Sequence, residues 1–438
     1  MQIVDTALEK RLAEGNPVRV AMVGAGYMAR GISLEILTGI RGMKLVAVAN
    51  RTIDQAERTY RDAGIQDFVR CGTLSQVNAA LATGTYVVTE DARLLCQADG
   101  IEAVIEATGH VEHGALVAVE AIRHGKHLIL GNVELDATVG PILKVHADKA
   151  GVVFTDTDGD EPGVAMNLFR FVKTIGYRPV MAGNIKGMID RYRTPETQRA
   201  FAEKVNQKPP MITSFADGTK LSMEAAILCN ATGLRVDVRG MHGHPCAHVK
   251  EILTKFPPEK LLAQGLVEYT LGAEPHTGAF VVGYCDHPIK RQYMKYFKMG
   301  DGPLYLFYTP YHLPQVQLPL TVARAVLFRD PTVTPIGAPV VDVVTVAKRD
   351  LEPGEVLDGI GGFHCYGSID NYEVSEAGDL LPMGLSEGCR VTRRVPKDQA
   401  LSYADVELPP GRLSDQLRAE QTRHFAKRTA GQPSLQPR

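Results

Sequence analysis

The sequence predicts an α/β protein built on a doubly wound parallel sheet, followed by an α+β domain and a small β-rich domain. First, an apolar run, Val20–Val23, leads into Gly24-x-Gly26-x-x-Ala29 and then into a helical pattern. A strand, a glycine-rich turn and a helix in this order form the dinucleotide-binding signature of the Rossmann fold. Second, β-like and α-like segments alternate up to residue 155. Third, the pattern changes near residues 155 and 335, which indicates further domains.

The composition excludes several function classes. The chain has 438 residues, 45% of them hydrophobic and 22% charged, with a formal net charge of −2. A balanced charge does not favour nucleic acid or an anionic membrane as partner, and no apolar run has the length of a membrane span. The first residues read as a charged helix rather than a signal sequence, and the seven cysteines lack C-x-x-C spacing. We therefore expect a cytoplasmic protein with reduced thiols that binds a small-molecule substrate.

Residues 1–155 are predicted to form the dinucleotide-binding domain, because strand and helix patterns alternate there. The expected strands are Val18–Val23, Met43–Ala49, a less regular one near Tyr86–Val88, Ala103–Ala107, His127–Gly131 and Val152–Phe154, and the expected helices are 1–16, Tyr27–Ile40, Val111–His124 and Thr138–Ala150.

The glycine-rich turn predicts the contacts to the cofactor phosphates. Gly24 suits a tight turn, and Gly26 lets a pyrophosphate approach the backbone. The first helical residues, Tyr27 and Met28, offer N–H groups at the positive end of the helix dipole.

The end of the second strand predicts the cofactor type. An acid there would bind the ribose 2′-hydroxyl of NAD, but the sequence reads Asn50-Arg51-Thr52. Arg51 and Thr52 suit a 2′-phosphate, so NADP(H) is predicted over NAD(H), with a solvated surface arginine as the alternative.

Small or polar residues also follow two later strands, where the nicotinamide ribose passes. These cofactor candidates are Thr108, Gly109, Asn132 and Glu134.

The rest of the chain divides into three predicted parts. Residues 156–335 form the α+β catalytic or oligomerisation domain, with strands such as Ala279–Tyr284 and Leu304–Tyr308 in an antiparallel sheet. Residues 336–410 contain two alternating strands, over 342–357 and 391–406. Residues 411–427 form a polar helix, and the tail 428–438 is predicted to be disordered.

Several polar residues stand in contexts that indicate chemistry. Asp160 and Glu161 form a loop after the last Rossmann strand and could hold Mg²⁺ or Mn²⁺, or merely cap a helix. Glu224 lies in apolar M-E-A-A-I-L, so its carboxyl group needs a partner or a proton. Lys186 could polarise a carbonyl group, and His242 and His312 could donate to a substrate. Each has a structural or surface alternative.

Candidate substrate contacts have hydroxyl, amide or guanidinium groups near these stretches. They are Asn230, Thr232, Tyr311 and Arg324. Helix capping is the alternative for Asn230 and Thr232, and a purely structural role is the alternative for Arg324.

Several longer stretches form a recognisable set. They are I-E-A-T-G (105–109), G-K-H-L-I-L-G-N-V-E-L-D-A-T-V-G-P (125–141), G-D-E-P (159–162), M-E-A-A-I-L-C-N-A-T-G-L (223–234), G-M-H-G (240–243), P-Y-H-L (310–313) and P-L-T-V-A-R (319–324). Together they resemble the 1-deoxy-D-xylulose 5-phosphate reductoisomerase-like (DRL) family, which are homoserine-dehydrogenase-like oxidoreductases with a C-terminal SAF domain. A-K-R-D-L-E-P-G-E and P-M-G-L resemble the SAF module, which is expected to pack on the catalytic half, or to cover the site or a homo-oligomer interface.

The chain departs from homoserine dehydrogenase itself at one informative position. Glu134 stands where that family's motif has a lysine, and the downstream catalytic lysine motif has no counterpart. Homoserine is therefore not the expected substrate.

Three interpretations follow. The first is an NADP-dependent oxidoreductase of a small polyhydroxy ketone or sugar phosphate; the resemblance implies, as its most concrete form, a metal-assisted conversion of deoxyxylulose phosphate to methylerythritol phosphate. The second is an NAD(P)-dependent dehydrogenase of a sugar acid, hydroxy acid or amino acid derivative, without isomerisation. The third is a non-catalytic binding protein on the same scaffold.

Overall fold

A computed structural model describes residues 3–429, and every element below lies in that range. Most of the predicted disordered tail, 428–438, lies outside the described residues; 428 and 429 end the last helix. No helix within 3–429 is both long and apolar enough to cross a membrane.

The N-terminal module is the predicted doubly wound sheet. Its strands are β1 (Val18–Val23), β2 (Met43–Ala49), β3 (Phe68–Arg70), β4 (Tyr86–Thr89), β5 (Ala103–Glu106), β6 (His127–Leu130) and β7 (Phe154–Asp156), and its helices are α1 (Val4–Ala13), α2 (Tyr27–Thr38), α3 (Ile53–Asp62), α4 (Leu74–Ala82), α5 (Ala92–Gln97), α6 (Val111–Arg123) and α7 (Val133–Ala150). The strand order is β3-β4-β2-β1-β5-β6-β7. The order reverses at β1, which opens a ligand crevice at the carboxyl ends of the strands.

One correction in this module affects the site. The predicted helix from Thr138 begins five residues earlier, at Val133, because Asn132 caps it: the Asn132 side chain accepts a hydrogen bond from the Leu135 N–H at 3.2 Å. Glu134 therefore lies in the first turn of α7.

The middle module is a mixed sheet with helices. It contains β8 (Arg178–Lys186), β9 (His244–Pro245), β10 (Leu266–Leu271), β11 (Ala279–Tyr284) and β12 (Leu304–Thr309), with α8 (Glu161–Thr174), α9 (Pro195–Lys204), α10 (Pro209–Ala216), α11 (Thr219–Thr232), α12 (Pro258–Gln264), α13 (Pro288–Tyr296), α14 (Pro314–Phe328) and the 3₁₀ helix Val249–Thr254. The strand order is β12-β11-β8-β10-β9. The sheet is antiparallel at β11, as predicted, but β10 runs parallel to β8.

The C-terminal module is a small β domain followed by a helix. It contains β13 (Val341–Ala347), β14 (Cys365–Asn371), β15 (Arg390–Val391), β16 (Val406–Glu407), α15 (Tyr372–Ala377), α16 (Leu413–Thr429) and the 3₁₀ helices Met383–Leu385 and Tyr403–Asp405.

The two strands predicted over 342–357 and 391–406 are wrong in extent. β13 ends at Ala347 and pairs with β14, which the sequence pattern did not indicate. Pro353-Gly354 and Pro396 interrupt the ladder, and only single bridges such as Leu351 to Val395 join the two segments.

The three modules share their cores. Leu318 and Val322 of α14 lie in the same cluster as Val20 of β1 and Ile32 of α2. α16 packs on α6 and α7, where Glu112 of α6 accepts the N–H of Leu413 at 2.8 Å. This shared packing fixes α7, α8, β8 and α11 around one point, where the polar candidates converge.

Candidate active site

The centre of the site is a buried ion cluster between β8, α8 and α11. Strand alternation points Asn184 and Lys186 to the same face of the mixed sheet. Lys186 Nζ donates to Oε2 of Glu161 and, at 3.3 Å, to Oε2 of Glu224. Asn184 Nδ2 donates to the same two oxygens, at 2.7 and 3.2 Å. Glu161 and Glu224 are only 2% and 4% exposed, so the two carboxyl groups are withdrawn from water.

The protonation state of this cluster follows from burial and charge. Burial and the neighbouring charge of Glu161 raise the pKa of Glu224 to about 8. Burial alone would lower the pKa of Lys186, but the carboxylates of Glu161 and Glu224 outweigh it and raise that pKa above its usual range. Near neutral pH the cluster therefore joins a protonated lysine to a largely neutral glutamic acid, which is a proton donor matched to that pH.

The segment before α14 brings His312 to the same cluster. His312 Nε2 lies 3.8 Å from Oε1 of Glu161. Its Nδ1 is buried and has no hydrogen-bond partner within residues 3–429. The neighbouring Tyr311 is 50% exposed, so this segment lies at the rim of the site, where a substrate would enter.

Asp160 and Glu161 begin α8 rather than forming the expected loop. The Asp160 carboxylate caps the helix by accepting the N–H of Glu161 at 3.2 Å, and burial raises the pKa of Asp160. The adjacent acids thus have different contacts, and Glu161 is the one that pairs with Lys186.

A second buried lysine, Lys220, extends the cluster, and the sequence reasoning did not identify it. Its Nζ lies 3.3 Å from Oε1 of Glu134, which joins α11 to α7. Burial lowers the pKa of Lys220, but Glu134, Asp160 and Glu224 together raise it. The sequence offers one indication of this role: Lys220 stands four residues before Glu224, and residues with this spacing share one face of a helix.

Two further aspartates lie behind Lys220 without full hydrogen bonding. Oδ2 of Asp136 and of Asp156 are buried and have no partner among the described residues. Burial raises the pKa of Asp136 to about 7 and that of Asp156 well above its usual range. Both groups therefore retain protons under conditions in which an exposed aspartate is ionised.

The glycine-rich turn fits a dinucleotide phosphate. Gly24 has φ +109°, and a Cβ there would lie 2.9 Å from the carbonyl oxygen of Ala107. A Cβ at Gly26 would meet nothing within 4 Å, so space is open in front of the turn. No side chain caps α2 at Gly26, which leaves the N–H groups of Tyr27 and Met28 for a phosphate.

The end of β2 lies beside this turn. Asn50 Oδ1 accepts the N–H of Ala25 at 3.2 Å, and Asn50 Nδ2 donates to the carbonyl of Thr52 at 2.8 Å. Arg51 and Thr52 are exposed, and the Thr52 side chain does not cap α3. Both side chains thus have donors that a 2′-phosphate would accept.

The predicted nicotinamide contacts centre on Glu106, which is fully buried. Its carboxylate accepts from the Thr108 N–H at 2.9 Å and from Asn132 Nδ2 at 2.6 Å. Burial raises the pKa of Glu106 to about 7, although these hydrogen bonds oppose the shift. The network ties Thr108-Gly109, after β5, to Asn132, after β6. Because the Asn132 side chain is bonded to Glu106, it holds the ends of β5 and β6 together.

Four other candidates do not join the Lys186 cluster. His242 lies at the β9 edge of the mixed sheet, where its Nε2 is 2.7 Å from Asp237 Oδ2. Asn230 Oδ1 accepts the N–H of Val340 at 2.8 Å. The remaining two make local contacts: Thr232 donates to the Leu228 carbonyl near the end of α11, and Arg324 pairs with Asp330.

The central cluster is built around a lysine. Within residues 3–429 no group of three or more His, Cys, Asp or Glu side chains is arranged to hold a metal ion. The Lys186 ammonium lies between Glu161 and Glu224, where it balances their charge. The predicted Mg²⁺ or Mn²⁺ site at Asp160 and Glu161 stays a prediction.

Comparisons with known proteins support the assignment of this chain as an oxidoreductase. Residues 159–318 match the model of a family described as the catalytic domain of oxidoreductase DRL. The match spans α8, β8 and α11, which carry Glu161, Lys186 and Glu224, so the region of the ion cluster is related to an oxidoreductase catalytic domain. A comparison with curated proteins found no match.

Solved structures show only a loose likeness. A protein from Thermotoga maritima described as a probable dehydrogenase is 11% identical, with a TM-score of 0.42 over 73% of this chain and 90% of its own. Apo scyllo-inositol dehydrogenase from Lactobacillus casei is 12% identical, with a TM-score of 0.41 over 72% and 89%. The same enzyme with NAD(H) and scyllo-inositol is 14% identical, with a TM-score of 0.38 over 72% and 88%. The fold assignment rests on this chain's own strand order.

Proposed function

We propose that this protein is an NADP-dependent oxidoreductase that interconverts a carbonyl and a hydroxyl group on a small polyhydroxy compound. The observation that carries the proposal is the buried Lys186–Glu161–Glu224 cluster. Glu161 lies five residues after the end of β7, which supports a site at the carboxyl edge of the parallel sheet, where ligands bind in this fold. The glycine turn and the exposed Arg51 support NADP(H) as the cofactor.

The residues divide the work of carbonyl reduction. A bound nicotinamide would supply the hydride. Lys186 would donate a hydrogen bond to the carbonyl oxygen and stabilise its developing negative charge. Glu224, which holds a proton below about pH 8, would provide the proton that completes the hydroxyl group, directly or through Lys186. Glu161 and Asn184 hold the lysine and the acid in place.

The substrate class follows from the surroundings. His312 at the rim can accept or donate a hydrogen bond to a substrate hydroxyl, and the central cluster offers an ammonium group, an amide and two carboxyl groups. A sugar phosphate or polyhydroxy ketone fits this polar environment, with conversion of deoxyxylulose phosphate to methylerythritol phosphate as the most specific case.

A second candidate is a dehydrogenase of a sugar acid, hydroxy acid or amino acid derivative, without isomerisation. The Lys186 ammonium between the two glutamates favours it, since a lysine can polarise a carbonyl without a chelated cation.

A turnover assay separates these candidates. NADPH oxidation is followed by absorbance with deoxyxylulose phosphate, in Mg²⁺, in Mn²⁺ and in EDTA, and then with sugar acids and amino acid derivatives. Oxidation that EDTA abolishes supports the reductoisomerase, and EDTA-insensitive oxidation of another compound supports the simple dehydrogenase. If NADPH and NADH both fail to bind, the protein is a non-catalytic binding protein and the proposal is wrong.

A further inference from the structure

A cleft of about 330 Å³ lies where the middle module meets the C-terminal β domain, away from the Lys186 cluster. Two guanidinium groups, three hydroxyl groups and one carboxylate line it. They belong to Arg191, Tyr192, Arg239, Tyr366, Ser368 and Asp398. None of the residues of the Lys186 cluster contributes to its wall, so the cleft is a separate feature.

The cleft contains two guanidinium groups and one carboxylate, and one of the guanidinium groups forms no ion pair within residues 3–429. Asp398 accepts hydrogen bonds from the Tyr192 hydroxyl, at 2.9 and 3.0 Å. Arg239 Nε pairs with Asp370 at 2.6 Å. The exposed Arg191 lies over the Tyr366 ring, 5.8 Å from its centroid, and forms no ion pair with any residue in 3–429. Arg191 also makes a side-chain hydrogen bond to Tyr366, and its remaining guanidinium donors are available to a ligand in the cleft.

A smaller adjoining cavity reinforces the positive potential. It shares Arg191, Tyr366 and Ser368 with the cleft and reaches Gly218 and Ser222 in the first turn of α11. α11 is 14 residues long; Gly218 has no side chain to cap it, but Asp217 Oδ1, which also lines this cavity, accepts the N–H of Thr219 at 2.8 Å. The remaining N–H groups at the positive end of this helix dipole face the same space as the Arg191 guanidinium.

The nearest buried acid does not cancel this potential. Asp217, beside the start of α11, pairs with Lys348 at 2.7 Å. Lys348 Nζ also donates to the carbonyl groups of Arg193 and Gly362, both at 2.8 Å. Because Asp217 is matched by a buried cation, the charges without an ion pair in this region are those of Arg191 and Asp398.

We propose that the cleft binds the phosphate or carboxylate group of a small organic anion. Arg191 provides the main charge–charge contact, Arg239 the second guanidinium and Ser368 a hydroxyl donor. The site is independent of the proposed redox reaction, because it requires neither NADP(H) nor the Lys186 cluster.

Calorimetric titration tests the site with inorganic phosphate and, separately, malonate as probes. Phosphate would also bind at Arg51, beside the glycine turn, so the reference protein is Arg51→Gln, in which that position is weakened. We expect Arg51→Gln/Arg191→Gln to bind the preferred probe at least tenfold more weakly than Arg51→Gln. Arg51→Gln/Arg191→Lys should retain part of the affinity. The matched control is Arg51→Gln/Arg199→Gln, since Arg199 is an exposed arginine of α9 that pairs with Glu196.

The probes distinguish the two anion chemistries. Tighter binding of phosphate assigns a phosphate-bearing ligand, and tighter binding of malonate assigns a carboxylate. Equal affinities in the Arg191 and Arg199 variants would overturn the proposal, as would the absence of binding of either probe to Arg51→Gln. Circular dichroism confirms that the variants compared are folded. Neither outcome depends on whether NADPH binds.

Discussion

Replacing Lys186 with methionine removes the only cation that bonds directly to Glu161 and Glu224 within residues 3–429. The side chain keeps its length but loses its charge. The Lys186 side chain is 21% exposed, whereas those of Glu161 and Glu224 are 2% and 4% exposed. The two carboxyl groups cannot recover the lost interaction from water, so they must take up protons or remain charged in a buried place.

The loss of folding stability in Lys186→Met depends on pH. Removing one partner of a buried pair costs about 3–5 kcal/mol. Glu224 is largely protonated at neutral pH, so Glu161 bears most of this cost. An unfolded glutamic acid ionises near pH 4.3, whereas the variant has lost the cation that favours a charged carboxylate in this buried place. The unfolded state then releases its proton first, and stability falls as pH rises above that value. The loss should be near its full size at pH 8 and small at pH 4.5.

Urea denaturation at pH 4.5 and pH 8 measures this loss as a change in the free energy of unfolding. Lys204→Met is the matched control, because Lys204 is exposed at the end of α9. We also expect Lys186→Met to lower kcat/KM by about 10²–10⁴-fold with unchanged NADPH affinity. A loss of stability that is equal at both pH values would refute the charge coupling. Full activity would refute the catalytic role.

Three other changes test separate parts of the account. Glu224→Gln should lower the reduction rate about 10²–10⁴-fold, and a pH–rate profile should show that it removes the fall in wild-type activity above about pH 8. Arg51→Gln should weaken NADPH about 10- to 100-fold through lost charged hydrogen bonds and leave NADH unchanged in fluorescence titrations; equal effects on both would contradict the 2′-phosphate contact. The pKa of Asp136 is about 7 when folded, so the wild type loses stability from pH 4 to 7. Asp136→Asn should reduce that slope, to which Glu106, Asp156 and Glu224 also contribute, and add about 1–3 kcal/mol at pH 8, as unfolding curves would show.

The sequence was sufficient for the parallel sheet, because that signal is local. The run Val18–Val23 and the glycines after it determine β1 and the turn, and both appear where the pattern predicts them. The short β3 and the long β14 were missed. β3 has only three residues, and β14 pairs with a strand 18 or more positions earlier in the chain, a distance at which local pattern carries no information.

The types of residue in the site could be predicted from the sequence, but which of them come into contact could not. Apolar neighbours identified Glu224, and strand context identified Lys186, yet their pairing depends on α11 packing across β8. His242 is flanked by glycines much as Lys186 is, but the chain takes it to the sheet edge beside Asp237. Asn230 looked like a substrate ligand because its actual partner, the Val340 N–H, lies 110 residues away.

Fluorescence titration with NADPH and NADH is the most direct test of the central claim, that this chain is an NADP-dependent oxidoreductase. The account predicts saturable binding of NADPH at least tenfold tighter than that of NADH, with Lys186→Met binding NADPH as well as the wild type. Failure of both nucleotides to bind, or a clear preference for NADH, would contradict it.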